Sequence, residues 1–231
     1  MNTMFKKMIT LCLLLSCKLT LASALSDFEE GKQYVTFSQS VMEEESIQAH
    51  INELKPGEIK VLEFFSYGCV WCYRLDAKIN DWLVKKSENI QFERVPVIFQ
   101  PSWKDLTKAY YAAEDLKILD KVHQPLFKAI HDDGMVATTE NIKAAFESQG
   151  ISGPEFEAAF SSSSIDNHLK QAEGLAHVFK IRRIPSVAIL TPNGGYFATV
   201  SMAGSEDKLI ELIEAFSVEK SQEVKEEASV D

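Results

Sequence analysis

The chain has 231 residues, 45% of them hydrophobic and 25% charged, a globular composition with enough apolar material to bury a core. Its 24 basic and 34 acidic side chains leave a formal net charge of −10. No basic stretch with interleaved aromatics offsets that total, which argues against nucleic acid as a partner.

Residues 1–24 read as a secretory signal peptide. Lys6 and Lys7 form a basic start, residues 8–17 an apolar stretch too short to span a bilayer, and Ala22-Ser23-Ala24 a small-x-small cleavage site. Lipoprotein processing at Leu14-Leu15-Ser16-Cys17 is the alternative; Lys18 and the downstream Ala-x-Ala favour cleavage after Ala24. Cleavage removes Cys12 and Cys17 and leaves Cys69 and Cys72. It also removes three lysines and no acid, taking the net charge from −10 to −13.

A β-like patch at residues 34–37 is followed by a helix-permissive segment, 42–54, that ends at Pro56-Gly57. Residues 59–66 form a near-continuous apolar run of strand length, the pattern of a strand covered on both faces, interrupted by Glu63. Leu75, Ile79, Trp82 and Leu83 then recur at helical spacing over 72–84, and residues 90–99 return to β character. Strand, helix, strand implies a parallel pair. From 102 to about 180 the pattern is helical. Ser102 and Asp105 suggest a capping box, Gly150 a helix end, Pro154 a first turn, and residues 161–164 a polar hinge. Residues 186–190 and 196–200 read as a hairpin turning at Asn193-Gly194. Ser205 opens a last helix with Leu209, Ile210, Leu212 and Ile213 on its apolar side. Residues 219–231 read as a charged, solvated tail. The order predicts an α/β thioredoxin-like fold with an inserted helical subdomain. Residues 25–99 form its first part, 100–170 the insertion and 171–218 the second part.

Cys69-Val70-Trp71-Cys72 carries the chemistry. The pair sits where the apolar strand gives way to a helix, so the first sulfur lies near a helix N-terminus, where partial positive charge favours the thiolate. Only the thiolate attacks a disulfide. Cys69 is therefore the expected exposed nucleophile and Cys72, one turn further in, the buried resolving thiol. A zinc site needs about four ligands, and two cysteines with five scattered histidines do not supply them. A lone structural disulfide is the bland alternative. No cofactor and no metal is expected.

Residues 63–73, Glu63-Phe64-Phe65-Ser66-Tyr67-Gly68-Cys69-Val70-Trp71-Cys72-Tyr73, resemble the active-site segment of the DsbA family of bacterial periplasmic thiol–disulfide oxidoreductases. Residues 28–34, 105–109 and 125–127 resemble that family's mature start and helical insertion, and Arg183-Ile184-Pro185-Ser186 falls at its cis-proline loop. The likeness runs from about residue 28 to 216. It implies a periplasmic enzyme that passes its disulfide to exported proteins with free cysteines. It also implies a membrane quinone-linked reoxidase of the DsbB type as partner. Val70-Trp71 departs from the family's usual Pro-His, and Ile184 from its usual Val. Without a His beside it, the Cys69 thiolate is expected to be less stabilised and the pair a weaker oxidant.

By the same resemblance Glu63 lies beneath the disulfide and helps move the Cys72 proton. The alternative is a partly exposed edge position paired with Arg94 or a Lys. Pro185 is a strand-initiating proline on its bare reading. On the family's reading its bond is cis, and the Ile184 backbone pairs with substrate as an added strand. Trp71 is expected to face substrate. The histidines read as surface or partly buried, and Phe64, Phe65, Trp82, Phe92 and Phe99 as core. A disulfide isomerase or reductase of the same fold, and a non-catalytic peptide-binding chaperone, are the competing functions.

Overall fold

A computed structural model describes residues 24–227. The signal-peptide reading, apart from Ala24, and Cys17 lie outside the described residues.

Five strands form one sheet in the order β1-β5-β4-β2-β3. The first, β1 (Val35–Thr36), pairs with β5 and leads into two short helices, α1 (Gln39–Met42) and α2 (Glu45–Ile51). At the centre, β2 (Ile59–Phe65) is buried along its whole length. It runs parallel to β3 (Ile90–Pro96) and antiparallel to β4 (Ser186–Thr191). Between β2 and β3 lies α3 (Val70–Leu83). Side chains alternate across β2. Ile59 and Val61 join one apolar cluster with Leu75, Ile79 and Trp82 of α3. Leu62 and Phe64 join the other, which extends into the inserted helices.

The insertion begins with a 3₁₀ turn, Pro101–Trp103, that runs directly into α4 (Lys104–Asp115). The expected Ser102–Asp105 capping box therefore does not form. Asp105 instead accepts a hydrogen bond from Thr139 Oγ1 at 2.8 Å. Helices α5 (Leu119–His131), α6 (Thr139–Glu147) and α7 (Gly153–Phe160) follow. The capping box forms at the start of α7, where Ser152 and Glu155 satisfy each other's backbone N–H groups. Ser162 caps α8 (Ser163–Val178). The boundary expected at 170 falls inside this unbroken helix.

In the closing hairpin, β4 and β5 (Gly194–Thr199) pair Thr191 with Gly194. The two loop residues are Pro192 and Asn193, one position earlier than the Asn-Gly pair suggested. Asn193 is not among the residues of positive φ, which a primed Asn-Gly turn would need. After α9 (Val200–Ala203), Ser205 Oγ accepts the Lys208 N–H at the start of α10 (Glu206–Glu227). The expected solvated tail is helical as far as Glu227. Asn89 explains why the helix stays docked: its Nδ2 reaches Ser217 O and Ser221 Oγ at 3.2 and 2.9 Å, and its Oδ1 accepts from Ser217 Oγ at 2.7 Å. Among the described residues no helix is long and apolar enough to cross a membrane.

Candidate active site

The β2-to-α3 junction sets the site. Phe64 and Phe65 anchor the end of the strand in the core, and the chain turns through Ser66, Tyr67 and Gly68. Cys69 is the N-cap residue of α3, with extended backbone, and its Sγ accepts the Cys72 N–H at 3.2 Å. The sulfur takes the place of a capping oxygen. Its proton affinity falls to about 7, first because the Cys72 thiol donates to it, and further because the Cys72 and Trp71 N–H groups point at it, against the opposing effect of burial. Cys72 is fully buried, and that burial pushes its thiol far up. Both cysteines are free thiols.

Cys69 is less exposed than expected, at 8%. Its cover includes the loop before β4. The Ile184–Pro185 bond is cis, and the Ile184 carbonyl lies 3.9 Å from Cys69 Sγ. Trp71 is 57% exposed beside that loop, with the Arg74 guanidinium 4.6 Å from its ring centre. Trp71, Ile184 and Pro185 line one open groove of about 330 Å³ with Arg183, Thr199 and Val200. On the other side Trp103 lies against Gly68, and Phe99 stacks on Trp103 at 6.2 Å and 25°. Phe99 is 45% exposed and so departs from the core role read for it, because β3 has already ended at Pro96.

Glu63 is 1% exposed and occupies the middle of β2, between β3 and β4. It is not an edge residue. In register it faces Arg94 of β3. Arg94 Nε lies 3.1 Å from Glu63 Oε2, yet neither atom has a hydrogen-bond partner among the described residues. The contact is an ion pair of poor geometry. Burial pushes Glu63 up to about 7, against the pull of Arg94. Its charge in turn is one of the effects that raise Cys72.

The guanidinium's better bond goes elsewhere. Arg94 Nη2 donates to Asp76 Oδ1 at 2.8 Å and to Asn80 Oδ1 at 3.1 Å. Asp76, on the inner face of α3, also accepts from His123 Nε2 at 2.8 Å, from Asn80 Nδ2 at 2.8 Å and from Gln124 Nε2. Burial alone would raise its carboxyl, but the His123 bond and the nearby Arg94 charge outweigh it and hold Asp76 low. With Nε2–H given to the carboxylate, His123 Nδ1 accepts from Tyr67 OH at 2.8 Å. Burial lowers His123, against the opposing pull of the Asp76 bond.

His123 is thus a buried hinge pin between the insertion and α3, not a surface residue. His131 also reaches the site, bonding Tyr67 O at 2.8 Å through Nε2 and stacking on Tyr73. Asp76, His123, Tyr67 and Trp103 were not singled out by the sequence reading. A charged residue four after Cys72, on the face that carries Leu75 and Ile79, was the available signal for Asp76. For His123 it was a place on the face of Val122, Leu126 and Phe127.

Known proteins share this fold. The family model described as DSBA-like thioredoxin domain matches residues 83–212. A thiol:disulfide interchange protein DsbA of Azotobacter vinelandii is 31% identical over 196 residues, covering 84% of this chain and 86% of its own. One from Pseudomonas syringae pv. tomato is 29% identical over 83% of this chain and 84% of its own. The crystal structure of Pseudomonas aeruginosa DsbA superposes with a TM-score of 0.72 and 25% identity, over 86% of this chain and 97% of that one. The disulfide oxidoreductase DsbA of Proteus mirabilis superposes at 0.63 with 28% identity, over 87% and 98%.

Proposed function

Because the chain belongs to the DSBA-like thioredoxin domain family and is a thiol:disulfide oxidoreductase, we propose how its residues introduce disulfides into exported proteins. The oxidised enzyme holds a Cys69–Cys72 disulfide. A substrate thiolate attacks Cys69 Sγ, forming a mixed disulfide, breaking the Cys69–Cys72 bond and leaving the electron pair on Cys72 Sγ. Cys72, buried and of high proton affinity, takes up a proton, and Glu63 is the carboxyl poised near neutrality to supply it. A second substrate thiolate then attacks the substrate sulfur, closing the substrate disulfide and releasing Cys69 as the thiolate. Two electrons pass to the enzyme; one of the substrate's protons is matched by that on Cys72, and the other goes to solvent.

The observation that carries this reading is the Cys69 sulfur at the N-cap of α3, accepting the Cys72 N–H at 3.2 Å. The groove beside Trp71, Ile184 and Pro185 supports an extended substrate lying along the loop, with the Ile184 backbone as its partner strand. We place the protein in the periplasm after signal cleavage, reoxidised by a quinone-linked membrane protein of the DsbB type. The test is oxidative refolding of a reduced, unfolded secreted protein, with the in-cell thiol state read by alkylation and gel shift. Catalysis lost in Cys69→Ser, with wild type mostly oxidised in cells, is the expected result. A protein found reduced in cells points to the isomerase or reductase reading, which the missing His at Val70-Trp71 favours. Activity intact in Cys69→Ser points to a chaperone.

A further inference from the structure

We infer that Asp76 is a positioning residue for this reaction: by holding the Arg94 guanidinium, it withholds from Glu63 the hydrogen bond that would fix Glu63 as a carboxylate. The inference rests on Glu63 serving as the proton carrier of Cys72.

One guanidinium stands between two buried carboxyls. Asp76 receives its Nη2–H at 2.8 Å, whereas the Nε contact with Glu63, at 3.1 Å, is too poorly aligned to make a full hydrogen bond and acts mainly through charge. The competition is settled on the Asp76 side. Asn80 grips both partners there, accepting from Arg94 and donating to Asp76. Two further donors, His123 and Gln124, come from α5 of the insertion. A carboxylate with four donors keeps its charge in a dry site; a carboxyl whose single donor is misaligned takes up a proton near neutral pH. Asp76 also repels a charge on Glu63 directly. The groups bearing on Glu63 are Arg94 from β3, Asp76 and the two thiols from α3 and, through Arg94, Tyr67 and Tyr110. His123 acts through Asp76, and β4 sets only Val187 beside Glu63 in register. The insertion thus reaches the disulfide chemistry through Asp76.

The test is the titration of the Glu63 carboxyl in the reduced full-length protein, followed by ¹³C NMR with labelled glutamate and assigned by Glu63→Gln. Asp76→Asn should shift the midpoint down by about one pH unit, since Arg94 turns to Glu63 and the repulsion is lost. Arg94→Met should shift it up. In the Arg94→Met background the effect of Asp76→Asn should shrink, because only direct repulsion remains. An unchanged midpoint in Asp76→Asn, or an equal fall in both backgrounds, overturns the inference. Should Asp76→Asn fail to fold, Asn80→Ala serves instead, at a half-buried position; a smaller fall is expected, and no fall overturns the inference. The two readings fail differently. Loss of the proposed function appears as Cys69→Ser refolding substrate like wild type, whereas loss of this inference leaves refolding dependent on Cys69 and the Glu63 midpoint indifferent to Asp76.

Discussion

Trp103 seals Gly68: a Cβ built on that glycine would collide with the indole at Nε1. No hydrogen atom can be replaced by a methyl there unless Trp103, stacked on Phe99, moves. Gly68→Ala should therefore cost about 1–3 kcal/mol in chemical denaturation, and it should slow mixed-disulfide formation, since the residue directly precedes Cys69. Retained stability and rate would show that the indole is free to move aside.

Cys69 gives a pH signature. Its thiol falls from 9.0 to about 7 in the folded, reduced protein. A depressed acid stabilises the reduced form fully above its unfolded value, and that contribution is lost as pH falls through the folded one. Between pH 9 and pH 6 the stability of the reduced form relative to the oxidised form should drop by about 3 kcal/mol. Paired denaturation curves at several pH values read this directly, and ultraviolet thiolate absorbance should titrate near 7. A pH-independent difference would contradict the N-cap account of the thiolate.

Glu63 has the opposite sign. Its folded value is raised from 4.5 to about 7, so stability is lost as pH climbs from the unfolded value to the folded one, and the loss persists above it. Glu63→Gln lacks that loss. It should be the more stable protein at pH 8, by roughly 3 kcal/mol, while its advantage vanishes near pH 4. The same variant should react more slowly in the step that moves the Cys72 proton. Equal stabilities at pH 8 would mean the carboxyl is ionised at little cost.

Trp71 brings no charge between the cysteines, and the nearby Arg74 guanidinium sits over its ring. Trp71→His should lower the Cys69 proton affinity and make the enzyme more oxidising, by about 30 mV for each pH unit gained. Equilibrium with glutathione measures it. Wild type should lie on the reducing side of Pro-His relatives; a variant no more oxidising than wild type rules out this role for position 71.

Much of this was legible from the chain. The apolar run of β2, the CxxC at the strand-to-helix change and the β character around Pro185 fix the thioredoxin-like frame, because strand burial and helix starts leave local marks. What stayed hidden was relational. Asp76 and His123 are 47 positions apart, and nothing local says that one finds the other. The capping box expected at Ser102 formed at Ser152, since Pro101 starts a 3₁₀ turn before Ser102 can act as a cap. The charge-rich end read as solvated because its docking partner, Asn89, sits 128 residues before Ser217.

The single rod of α8 has a consequence for remodelling this scaffold. It starts in the inserted lobe at Ser163 and delivers the chain to Phe179, which packs on Phe37 and Phe64 a few residues before Ile184. The lobe cannot be excised at a flexible seam, because its exit has none. Any shortened or grafted version must rebuild the platform that carries Ile184 and Pro185 up to the reactive sulfur.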